Sequence, residues 1–164
     1  MEKIKKKPLE KIISILYQIE DSILVFLLLI MILMAAGQIV LRNIFETGIV
    51  WGDMLVRTLV LWIGMAGAMI ASRDGNHIRI DIITSFVPKK FKNYLNSFIE
   101  LFTCVICFIT AWHAARFVLM EYNDNIIAFA SVPSWVCTSI IPVSFFIIGI
   151  RYFILFYLSI RMKR

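Results

Sequence analysis

The sequence predicts an all-α integral membrane protein with four transmembrane helices, amphipathic helices at the membrane surface, and both termini in the cytoplasm. Three observations carry that reading. The first is composition: the 164 residues are 60% hydrophobic and only 17% charged, against about 45–50% and about 25% in soluble domains, and the mean hydropathy is +0.85. A water-soluble chain of this size leaves much of its area exposed and has nowhere to hide so much apolar surface. The same numbers exclude a disordered chain. The second is a set of four apolar runs, each long enough to cross a hydrocarbon core of about 30 Å at about 1.5 Å per residue. The third is the placement of charge between them.

Residues 1–21 are a basic leader with Lys3, Lys5, Lys6, Lys7 and Lys11. Pro8 suits the first position of a helix. Leu9, Ile12, Ile13, Leu16 and Ile19 then recur at helical spacing, opposite Glu10, Lys11, Ser14 and Gln18. That pattern predicts an amphipathic helix over about residues 8–20, lying on the cytoplasmic surface or extending the first span. The first span is Ser22 to Leu41, which contains no charge. A cleaved signal peptide is the rival reading. The run is too long for a normal signal core and its leader carries Glu10, Glu20 and Asp21, so an uncleaved anchor is expected.

Arg42 to Gly52 is a short polar turn, and the second span covers about residues 51–72. Gly64, Gly67, Ala68 and Ala71 supply small residues that let helix backbones approach closely. Residues 73–93 form a second polar region with Arg73, Arg79, Lys89, Lys90 and Lys92. Within it Ile80, Ile82, Ile83, Phe86 and Val87 predict a short surface segment ended by Pro88. A helix from Pro88 to Met120 would be roughly 50 Å long. It overshoots the bilayer, so its first third is expected to bend or lie at the surface, leaving residues 95–117 as the third span. Residues 121–134 read as a loop with Glu121 and Asp124 and no Lys or Arg. The fourth span covers about residues 135–158, with Pro142 and Gly149 inside. The whole of 1–164 is expected to form one membrane domain.

The net charge of +6 and pI near 9.4 raise the question of nucleic acid, and position answers it. The leader holds five basic residues, the middle polar region five and the tail three, whereas the two remaining loops hold one, Arg42. Such an excess belongs on the cytoplasmic side, which places the termini inside and gives membrane lipids, not nucleic acid, as the partner of the basic segments.

Catalytic chemistry has little to stand on. Cys104 and Cys107 form a C-x-x-C, a redox spacing in the right fold, but both lie mid-span, where a thiolate is disfavoured. A four-span disulfide oxidase also needs a cysteine pair in an outer loop, and the outer loops contain none; Cys137 is a lone extra. His113 in the third span and His77 in the cytoplasmic region differ in depth, so they do not make a haem site. No Ser-His-Asp set, P-loop or zinc spacing is present. No metal, cofactor or catalytic residue is expected. Charges within the spans carry more weight, because they are costly and default to pairing or functional roles. Asp53 and Arg57 stand at i,i+4 in the favourable order, with Asp53 near a helix N-terminus. Glu100 and Arg151 both lie toward the cytoplasmic side of their spans and are placed to pair between helices. Arg116, near the outer end of the third span, is placed to snorkel. Glu100 also resembles the single membrane carboxylate of small drug antiporters, but those show weak charge bias and this chain's bias is strong. A membrane thiol/quinone redox enzyme and a free-standing antiporter remain as alternative readings.

Taken in order, these residues resemble the small membrane subunit of tripartite ATP-independent periplasmic (TRAP) transporters, the DctQ-like family. Arg42-Asn43 closes the first span as the family's Arg-Tyr or Arg-Asn does. Trp51, Asp53, Arg57 and Trp62 match its Trp…acid…Arg…Trp pattern, and Gly67-Ala68 follow at the expected distance. His77-Ile78-Arg79-Ile80-Asp81 resembles its His-Ile-x-Val-Asp stretch, and Pro133, Trp135 and Pro142 its Pro-x-Trp…Pro opening of the fourth span. The likeness covers about residues 20–158. One departure is Met54, where the family often carries Glu. The resemblance implies a non-catalytic subunit of an inner-membrane importer for organic anions such as carboxylates, driven by sodium. Its expected partners are a large multi-span permease subunit, which it would brace, and a periplasmic substrate-binding protein, which it would help to dock. Arg42, Trp51, Asp53, Arg57, Trp62, Glu100, Arg116 and Arg151 are the candidate interface or docking residues.

Overall fold

The computed structural model describes residues 6–73 and 89–161. Lys3 and Lys5 of the leader, the middle stretch from His77 to Pro88 with Arg79 and Asp81, and Lys163 and Arg164 of the tail lie outside the described residues. The first helix, α1, runs without a break over Lys6–Phe45. The amphipathic segment is therefore the N-terminal part of the first span's own helix. The reason is local: between Pro8 and Gly37 no Gly or Pro interrupts the chain, so nothing stops helix propagation. Glu46 adopts φ 51°, a left-handed residue of the kind that ends helices. Helix α2 spans Gly52–Arg73. It opens with the Leu55 N–H donating to the Trp51 carbonyl at 3.1 Å.

Helix α3 covers Lys89–Asn123. It begins directly after Pro88 and contains neither Gly nor Pro, which is why the helix is unbroken through its first third, the part expected to bend or lie at the surface. Its end also runs past Glu121, so Glu121 is a helical residue and not part of a loop. A small antiparallel hairpin follows, β1 (Ile127–Phe129) and β2 (Val132–Pro133), with Ile127 opposite Pro133 and Phe129 opposite Val132. Ala130 and Ser131 link the strands at φ 42° and 70°, the doubly left-handed turn that fits the strands' twist. Helix α4 (Ser134–Thr138) leads through the single turn residue Ser139 into α5 (Ile140–Arg161). Pro142 falls in the first turn of α5, where its missing N–H leaves no helical bond unmade. Among the described residues, four helical stretches are long and apolar enough to cross a membrane: Ser14–Phe45, Gly52–Arg73, Tyr94–Asn123 and Ser134–Ser159.

By contacts the chain divides into two compact units, Met1–Ile70 and Ala71–Arg164. In the second, α3 and α5 pack as an antiparallel hairpin. The hydroxyls of Ser97 and Ser159 are 3.0 Å apart, and the rings of Phe108 and Phe146 meet edge to face at 5.9 Å. A Cβ on Gly149 would stand 3.4 Å from Cys107 Cβ and 3.5 Å from the Phe108 ring, ordinary contact distances that place Gly149 of α5 directly against α3. Cys104, Cys107, Ala111, Ile148 and Ser144 are buried. Small side chains dominate the buried part of the seam, as expected where helices associate by packing and not by expelling water.

Candidate functional site

The first unit gathers polar groups where α1 ends and α2 begins. Gln38 is buried on α1, one turn before Arg42. Its Nε2 donates to the Ile49 carbonyl at 3.2 Å and to Asp53 Oδ1 at 3.0 Å. Arg42 Nη2 donates to Asp53 Oδ2 at 3.4 Å. Both Asp53 oxygens are thus engaged by α1, across the turn. Asp53 is the acidic residue of the first turn of α2, where the helix dipole favours its charge. The close approach depends on Gly52: a Cβ there would collide with the Oε1 of Gln38. Gly52 and Gln38 also share one acceptor, because the Gly52 N–H donates to the Ile49 carbonyl at 2.9 Å.

Arg57, one turn along α2 from Asp53, lines the same groove of about 380 Å³ together with Ala35, Gln38, Ile39, Arg42, Asp53 and Val56. The ion pair expected along α2 between Asp53 and Arg57 is replaced by one between helices, because Asp53 turns toward Arg42. The groove's lining combines apolar Ala35, Ile39 and Val56 with two guanidiniums and one carboxylate. Trp51 is partly exposed beside it, at the entry to α2, and Trp62 lies half-buried farther along the same helix.

The second unit holds a different polar cluster. Glu121 is buried near the end of α3. It accepts hydrogen bonds from Ser134 Oγ at 2.7 Å and from Thr138 Oγ1 at 2.5 Å, two hydroxyls one turn apart on α4. Beside it Tyr122 and Trp135 stack edge to face at 5.7 Å, and the Ser134 N–H donates to the Ile126 carbonyl at 2.8 Å. These contacts clasp the start of α4 to the end of α3 and close the hairpin between them.

Glu100 is buried on α3, and Arg151 on α5 donates from Nη1 to Ser72 Oγ at 3.1 Å. Ser97 stands opposite Ser159 and Cys107 opposite Gly149, which puts Val105 opposite Arg151. A Glu100–Arg151 pair therefore has to bridge an axial offset of about 7 Å, more than their similar depth in the sequence implies. Arg116 is exposed on α3. Cys104, Cys107 and Cys137 are buried thiols outside any disulfide, serving as small packing residues. Among the described residues no group of three or more His, Cys, Asp or Glu is placed to hold a metal ion.

Gln38, Gly52, Glu121, Ser134 and Thr138 were not singled out by sequence. Gln38 carried a signal, an amide in an otherwise apolar span four residues before Arg42. Glu121 also carried one: two hydroxyl residues, four apart, follow it just beyond a short connection.

Comparison with known proteins agrees with this architecture. The family of tripartite ATP-independent periplasmic transporters, DctQ component, matches residues 20–162. The chain is 26% identical over 140 residues to the ectoine TRAP transporter small permease protein TeaB of Halomonas elongata, covering 85% of this chain and 72% of that one. It is 31% identical over 90 residues to the sialic acid TRAP transporter permease protein SiaT of Haemophilus influenzae, covering 54% of this chain and only 14% of that much longer one. Four spanning helices and a match over nearly the full length make this a multi-pass protein of the bacterial inner membrane and a transporter component, not an enzyme: the chain belongs to the DctQ component family of tripartite ATP-independent periplasmic transporters.

Proposed function

We propose that the chain is the bracing subunit of a sodium-driven, binding-protein-dependent importer of organic anions. It holds a large multi-span permease subunit in the membrane and contributes to the surface on which a periplasmic substrate-binding protein docks. The observation that carries this reading is the family match over residues 20–162 on a chain whose α1, α2 and α3 each run unbroken. Transporters that build their own substrate site at mid-membrane do so with interrupted helices; continuous ones suit a part that stays still. The matching segment of SiaT is a small share of a longer permease chain, which supports close association with a larger transport unit. Sialic acid and ectoine, named for the two relatives, both carry a carboxylate, which supports a carboxylate-bearing substrate.

The test is reconstitution of this chain with its large subunit and binding protein in liposomes. Uptake of labelled carboxylates, among them sialate, ectoine and C4-dicarboxylates, is expected only with an inward sodium gradient. Equal uptake with potassium in place of sodium overturns the coupling ion, and transport of uncharged solutes alone overturns the substrate class.

A further inference from the structure

Helix α3 has two unlike faces. Ser97, Glu100, Cys104, Cys107 and Ala111 are buried and recur at three- and four-residue spacing, which marks the side turned to α5. On the opposite side Phe102, Ile109, Trp112 and Met120 are exposed, and so are His113 and Arg116. Among the described residues, neither the His113 nor the Arg116 side chain makes a hydrogen bond or ion pair.

Their depth makes that exposure informative. Residues 101–120, between Glu100 and Glu121, make about 30 Å of helix, the thickness of a hydrocarbon core. His113 falls within a turn of its midpoint, and Arg116 is less than a turn farther out. A guanidinium or imidazole facing lipid chains there is costly and such residues face protein or a polar cavity instead. Snorkelling gives Arg116 little relief. Helical side chains lean toward the helix N-terminus, and Arg116 lies in the C-terminal half of α3, so its side chain starts out toward the membrane centre.

We propose that this face of α3 seats against the large permease subunit, which meets Arg116 and His113 with a carboxylate at the same depth. The inference rests on the bracing function proposed above and names the surface through which it acts. The chemistry is complementary: a cation and a ring nitrogen pair call for an acidic acceptor, while Ile109, Trp112 and Met120 offer the apolar rim that keeps such a pair dry. A lipid tail supplies no acceptor.

The experiment uses the full chain co-expressed with its large subunit. A photoreactive phenylalanine analogue at Trp112 should form a covalent product with the large subunit in intact membranes. The same probe at Phe153 on α5, also exposed, should give at least fivefold less. In separate variants, Arg116→Glu should lower recovery of the large subunit with the tagged chain at least fivefold, whereas Arg116→Lys should retain most of it. The yield and thermal unfolding of the isolated chain should be unchanged in both, because Arg116 supports no internal contact. Adducts of the Trp112 probe only with lipid, with a second copy, or within the chain would overturn the assignment. So would full recovery of the large subunit with Arg116→Glu. In those cases the large subunit still co-purifies with wild type and the bracing function stands. Failure of the wild-type pair to co-purify would overturn both.

Discussion

The two polar clusters near helix ends use the same chemistry in opposite settings. At the α1–α2 turn, Arg42 and Asp53 form an ion pair whose side chains remain 65% and 57% exposed. At the end of α3, Glu121 is 7% exposed and is held by two hydroxyls, with no ion pair among the described residues. An exposed ion pair is screened and worth about 0–1 kcal/mol. A buried carboxylate gains more from each hydrogen bond, and its loss is felt more, because water cannot replace the missing donor. The lesson is that formal charge is a poor guide to which cluster holds structure. The Arg42–Asp53 pair leaves a groove open to a partner, whereas the Glu121 clasp sets the geometry of the chain between α3 and α5.

The sharpest way to break this contrast is to strip Glu121 of its donors. Thr138→Val with Ser134→Ala should destabilise the second unit by roughly 3 kcal/mol or more, from two hydrogen bonds to a charged group at about 1.5–3 kcal/mol each, read as equilibrium unfolding in mixed micelles. Next in size is Gly52→Ala, whose added Cβ meets Gln38 and should cost about 1–3 kcal/mol as an overpacked contact. Arg42→Gln should cost no more than about 1 kcal/mol. A reversed order, with Arg42→Gln the most damaging, would mean that the exposed pair carries the structure.

A labelling experiment places the two connections across the membrane without changing stability. The basic-residue asymmetry predicts that both face the periplasm. With Cys104, Cys107 and Cys137 replaced by alanine, Thr47→Cys and Asp124→Cys should react with an impermeant thiol reagent in intact cells, and Lys90→Cys should not. Thr47 and Asp124 are exposed and avoid the left-handed backbone of Glu46 and Asn125, where a cysteine would be strained. The opposite labelling pattern would invert the topology.

The spanning helices were legible because hydropathy and length are properties of the chain itself. So was the end of α1 near Arg42, where charge returns. The continuity of α1 and α3 was legible too, in the absence of Gly and Pro from α3 and from α1 between Pro8 and Gly37, but bilayer thickness was weighed above helix propensity and two elements were split or shortened. Arg42 and Asp53 were both recognised as candidates, yet their pairing was missed, since i,i+4 spacing favours Arg57 and only the turn geometry at Gly52 brings α1 to Asp53. Glu121 was read as a loop acid because its partners, Ser134 and Thr138, lie across a hairpin that has no Gly in its turn. The α3–α5 register, which sets Arg151 opposite Val105, could not be read from depth alone: depth fixes a helix's length in the membrane but not its axial shift against a neighbour.

The central claim is that this chain braces a transporter and does not itself carry solute. The most direct measurement is uptake of a labelled carboxylate into sodium-gradient proteoliposomes that contain the purified chain alone, beside liposomes that also contain the large subunit and binding protein. The account predicts background uptake with the chain alone and gradient-dependent uptake with all three. Gradient-dependent uptake by the chain alone would contradict it.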